Sequence, residues 1–84
     1  MSRIKLKDEV QRAIRSEWPA FVVNHPRLAE ILDEDLLIEH AVETLRNDAE
    51  YQETMKTAVA ANIGAEVVRG VIVRLVGKFL RRLI

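Results

Sequence analysis

Residues Glu66–Ile84 read EVVRGVIVRLVGKFLRRLI, and the reading of this stretch decides the fold. On a helical projection Val68, Ile72, Leu75, Val76, Phe79 and Leu83 share one face, while Glu66, Arg74, Lys78 and Arg81 lie opposite with Gly70 and Gly77. Val73 and Leu80 widen the apolar side at one edge, and Val71 and Arg82 mark the other. The apolar arc is wider than a single neighbouring helix covers. The segment is therefore a core helix, an interface for another chain, or a basic hook for a membrane or nucleic acid.

Magnitudes rank these readings. A membrane span needs about 20 mainly apolar residues, and each central Arg or Lys costs roughly 2.5 to 3.5 kcal/mol against about 0.3 to 0.6 gained per Val, Ile or Leu. Arg69, Arg74 and Lys78 outweigh the eleven apolar residues, so the segment does not span. A basic face opposite a broad apolar face does suit a membrane surface. Burying the six large side chains, however, is worth roughly 9 to 18 kcal/mol, comparable with the whole net stability of a small domain. A fold of 84 residues has no such helix to spare.

Working back from this helix, Ala58, Ala61, Ala65, Val68, Ile72, Leu75 and Phe79 are spaced alternately three and four apart, an a/d seam of three heptads. If the helix is unbroken, the seam is one long contact with a second copy; if it breaks at Gly64, the same positions line two core helices. The break is preferred, with Gly64 as a left-handed C-terminal cap. Val68, Ile72, Leu75, Val76, Phe79 and Leu83 are the expected apolar interface.

The remaining segments also read as helix. Leu6, Val10, Ile14 and Trp18 recur every fourth residue, with Ala13 beside them, and Pro19 is expected to end this first helix because the residue before a proline avoids the helical region. The short AFVVNH stretch, residues 20–25, is then a non-helical cap on the core. Pro26 suits a first helical position, with Asn24 or His25 as N-cap. Leu28, Ile31, Leu32, Leu36, Ile38, Ala41, Val42 and Leu45 continue the pattern to Arg46 as one bent helix or as two, Asp33 capping the second. Asn47-Asp-Ala-Glu50 has capping-box spacing and opens the next helix. The fold expected is an all-α bundle of four helices, or five if the chain breaks at Asp33. It forms a single domain over residues 1–84, with no repeat or linker.

The chain has no cysteine, which excludes disulfides and thiolate metal sites and raises the expectation of an assembly. The charged start lacks a secretory signal, so a cytoplasmic location is expected. Net charge is zero but segregated: plus three over residues 1–16, minus eight over 17–55 and plus five over 56–84. Acidic middle helices beside basic ends suggest charge pairing within the chain or across a subunit contact.

No catalytic set assembles from these residues. Glu39, His40 and Glu43 offer at most two ligands on one helical face, and His-x-x-Glu occurs once where a di-iron carboxylate site needs Glu-x-x-His on two helices. His25 is expected to cap a helix or to pack on Trp18; Ser2 and Ser16, the only serines, give it no nucleophilic partner. Glu30, Asp33, Glu34 and Asp35 lack the alternation and glycine of a calcium loop. Arg3, Lys5, Lys7, Arg12 and Arg15 would form one patch with Arg74, Lys78, Arg81 and Arg82 if the two ends converged. A pI near 6.7 and four aromatics nevertheless argue against nucleic acid as first choice. The sequence reads as a non-catalytic, cofactor-free interaction module, partnered by its own copy or another helical protein. Arg74, Lys78, Arg81 and Arg82 set against Glu34, Glu39 and Glu43 would orient the contact. A basic surface for an anionic membrane or nucleic acid is the competing reading.

Overall fold

The computed structural model describes residues 5–84 and, within them, five α-helices and no strand. These are α1 (Leu6–Asn24), α2 (Pro26–Ile31), α3 (Glu34–Arg46), α4 (Ala49–Ala61) and α5 (Ala65–Arg82). The Asp33 region breaks, as the five-helix alternative requires. The Asp33 carboxylate accepts from the backbone N–H of Asp35 at 2.9 Å and of Leu36 at 3.3 Å, satisfying two donors that the first turn of α3 leaves free. Asp33→Ala is expected to cost about 1 kcal/mol, read as a lower thermal midpoint at unchanged helicity. A midpoint that does not move would show that this cap contributes nothing.

Three local expectations are corrected. First, Pro19 does not end α1, which runs five residues further, to Asn24. The ring removes the N–H that would bond the Arg15 carbonyl, but Arg15 and Pro19 are both exposed, so water can serve that carbonyl. Beyond the proline, Phe21 is buried and stacks on Trp18 at 5.3 Å, and His25 leans on Phe21 at 5.3 Å. These rings sit three and four residues apart on one helical face, so their packing favours continued helix where the proline disfavours it. Residues 20–24 are thus the last turn of α1, and His25 joins it to Pro26 at the first position of α2 with no side-chain cap.

Second, the N-cap of α4 is Asp48, whose carboxylate accepts from Tyr51 N–H at 3.1 Å. Asn47 instead closes α3, donating its amide to the Glu43 carbonyl at 3.1 Å. Third, the chain breaks before α5 at Asn62, in the left-handed region at φ 52°, with Ile63 N–H returning to the Ala58 carbonyl at 3.1 Å. Gly64 has φ −65° and precedes α5 as its N-cap. The alanine end of the seam is therefore not continuous with the rest, and Ala61 and Ala65 are exposed.

Packing is built on α5. Helix α1 lies parallel to it, with Glu9 at 3.1 Å from Arg69 near their starts and Phe21 and Leu80 lining one groove near their ends. Helix α3 runs antiparallel to α1, Glu34 meeting Arg15 at 3.6 Å while Val42 and Arg46 flank Lys7. Helix α4 returns antiparallel to α5, so Glu50 pairs with Arg74 and Ala58 lies across from Val67. Val10 and Ile14 of α1, Leu45 of α3, and Ile72 and Val76 of α5 are the largest fully enclosed side chains. In contrast α4 buries none of its residues; Tyr51, Met55 and Ala58 only lean on the core.

Candidate functional site

The two sides of α5 have different fates. Val68, Ile72, Leu75, Val76 and Phe79 are each at most 6% exposed and form the core with α1 and α3, while Leu83 is half-buried against it. The apolar set expected to meet a second chain is thus enclosed by the chain's own helices. Burial follows from the width of the apolar arc, which α1 covers on one flank and α3 and α4 on the other.

The opposite side faces outward. Val73 and Ile84 there are 51% and 66% exposed, with Arg74 and Arg81 between them in sequence, while Val67, 53% exposed, lies at the start of the helix on its α4 flank. Of the basic set, Arg74 pairs with Glu50 of α4. Among the described residues, Lys78, Arg81 and Arg82 have no carboxylate within 4.0 Å. Of the acidic set, Glu34 is held by Arg15, while Glu39 and Glu43 have no such partner among the described residues. The Arg-to-Glu pairing expected between these two sets is therefore not made within the described chain.

Sequence reading missed Glu9. It is the one buried charged residue among those described, 8% exposed, with Arg69 at 3.1 Å and Arg12 at 3.7 Å. The pair fixes the register of α1 on α5 and is structural. Its only sequence signal is an acidic residue one turn before Ala13 on the flank of the apolar face.

The histidines serve packing. His40 lies against Phe79 with ring centroids 5.5 Å apart, and His25 contacts Phe21, where Trp18 was the expected neighbour. Among the described residues no cluster of three or more His, Cys, Asp or Glu stands ready for a metal ion, and no helix is long and apolar enough to cross a membrane. Burial pushes the Tyr51 phenol above its ordinary pKa, partly opposed by the Arg46 guanidinium. Its neutral form is thus favoured by folding, and stability falls as pH rises past the ordinary tyrosine range.

The basic ends do not converge. Lys5 and Lys7 stand where α1 begins, level with the start of α5, so Arg81 and Arg82 lie roughly 20 Å away at 1.5 Å per residue. Arg12 and Arg15 face Glu9 and Glu34. Arg3 lies outside the described residues.

Between the second half of α1 and that of α5 runs an open groove of about 410 Å³. Glu17, Ala20 and Phe21 line it from α1, and Val73, Gly77 and Arg81 from α5. No protein family model, curated protein or solved structure matches the chain.

Proposed function

We propose that the protein is a non-catalytic helical interaction module that self-associates through the outward side of α5. The observation carrying this reading is that Val73 and Ile84, which share a groove with Arg81, stay more than half exposed after the core has taken the other side of the helix. The absence of cysteine and the small size of the core add to it, because an unstapled domain of this size gains stability from association. Cations at the end of α5 and carboxylates on α3 that have no ion-pair partner among the described residues give a second chain an orientation to prefer.

Val73→Glu tests the reading. The side chain is half exposed, so the variant is expected to keep its helical circular dichroism while its elution in size-exclusion chromatography shifts to that of a 9.6 kDa monomer. Identical elution of parent and variant would remove the outward side of α5 from the contact. The basic-surface reading has weaker support, since the cationic ends of α1 and α5 lie far apart and much of α1's charge is already paired.

A further inference from the structure

We infer that two copies dock groove to groove, about a two-fold axis that runs along the channel between α1 and α5. The inference rests on the self-association reading and supplies its surface and symmetry.

The register of the two helices comes first. Glu9 and Arg69 touch, and the helices run parallel, so residues equally far beyond them lie at one level. Glu17 and Gly77 are each eight residues further on, and both line the groove. Arg81 follows one turn later on the same wall. The floor is apolar, made by Phe21 and Leu80, which are 6% exposed, and the walls are the small or short side chains of Ala20, Val73 and Gly77. A Cβ at Gly77 would meet only the Arg81 guanidinium, at 3.8 Å.

Charge then selects the occupant. The α1 wall carries Glu17 and the α5 wall carries Arg74 and Arg81; Arg74 pairs with Glu50 of α4, which leaves Glu17 and Arg81. Among the described residues neither has an ion-pair partner within 4.0 Å, and the Arg81 Nε donates only to the Gly77 carbonyl, at 3.3 Å. A groove with opposite signs on its two walls is complementary to itself. A two-fold axis along the groove lays α1 of each copy over α5 of the other, level for level. Glu17 then faces the partner's Gly77, within one turn of the partner's Arg81, and the contact is made twice. An axis across the groove would set α1 on α1 and α5 on α5, with like charges facing. A helix from an unrelated protein gains nothing from this internal symmetry.

The size of the face sets the strength. Helix α5 is roughly 27 Å long at 1.5 Å per residue, and two adjacent helices are roughly 20 Å wide. Such a face lies at the small end of specific interfaces, so a dimer that dissociates in the micromolar range is expected.

Reversing one charge on each wall tests the geometry. Glu17→Arg alone brings two guanidinium groups together, the new one on α1 and that of the partner's Arg81. Arg81→Glu alone brings two carboxylates together, the new one on α5 and that of the partner's Glu17. Either repulsion occurs in both halves of a symmetric dimer. Each variant, with helicity confirmed by circular dichroism, is expected to dimerise about tenfold more weakly than the parent in sedimentation equilibrium. Mixing the two variants removes the repulsion: one half of the heterodimer then pairs the native residues, the other the two substituted ones, with opposite signs in each. A heterodimer of parental affinity is expected. If the parent dimerises but the reversals have no effect, or the mixture fails to recover, the groove is not the contact and the inference falls while the self-association reading stands. A parent that stays at 9.6 kDa at millimolar concentration overturns both.

Discussion

Replacing Ile72 and Leu75 together by glutamate is expected to unfold the chain, seen as loss of the helical circular dichroism signal at room temperature. Ile72 is fully enclosed and Leu75 is 5% exposed. Losing their apolar burial costs roughly 1.5 to 3 kcal/mol each, and a carboxylate buried without a partner adds several more. An 84-residue domain has a net stability of roughly 4 to 13 kcal/mol at about 0.05 to 0.15 kcal/mol per residue, which two such changes exceed. A folded double variant of lower molar mass would instead show that this side of α5 had been facing a second chain. Val73→Glu is expected to behave differently although Val73 adjoins Ile72 in sequence, because each helical residue turns by about 100° and Val73 falls on the outward side.

Pro19→Ala is expected to stabilise the protein. In a helix interior proline costs about 3 kcal/mol relative to alanine, through the lost hydrogen bond to Arg15 and the clash of its ring with that carbonyl. Alanine gives back up to about 1 kcal/mol by loosening the unfolded chain. The net gain is about 2 to 3 kcal/mol, or a rise in thermal midpoint of roughly 8 to 24 °C for a domain of this size. Because Pro19 is exposed, no core contact is lost in the exchange. A midpoint that stays or falls would mean that helix α1 ends at Trp18, as the general rule for the residue before a proline suggests.

That rule fails here for a reason that local sequence does not display. The helical class, the apolar face of α1 and the core side of α5 follow from periodicity, which depends only on spacing. Pro19 is overridden by packing beyond it: Phe21 is buried, stacked on Trp18 with His25 against it, and shares with Leu80 of α5 the lining of the groove between the two helices. Leu36 and Leu37 are a different case. Leu36 follows Leu32 by one turn if the helix is read as continuous, but once the chain breaks at Asp33 the spacing back from Ala41 and Leu45 selects Leu37, which is buried while Leu36 is 63% exposed. The caps differ from expectation by one or two residues because Asn47 and Asp48, like Asn62 and Gly64, have overlapping preferences; which residue of each pair makes the turn is decided by how the flanking helices meet.

The site is legible only in part. Spacing separates the two sides of α5, but the wide apolar arc looks like a surplus over what one chain needs, whereas three helices of the same chain cover it. What remains for a partner is the side that carries Gly70, Val73, Gly77 and Arg81, most of which the projection marks as polar. Its pairing with α1 into a two-walled groove depends on the Glu9–Arg69 contact, and a charge pair sixty residues apart has no signature in a single sequence.

The central claim is that α5 has two working sides, an inner one that holds the fold and an outer one that holds a second copy. It is tested most directly by light scattering on the parent chain and on Val73→Glu, from micromolar to millimolar concentration, with helicity followed alongside. The account predicts that the parent rises from 9.6 kDa toward twice that mass while the variant remains folded and monomeric. A parent that stays at 9.6 kDa throughout, or a variant that associates as the parent does, would contradict it.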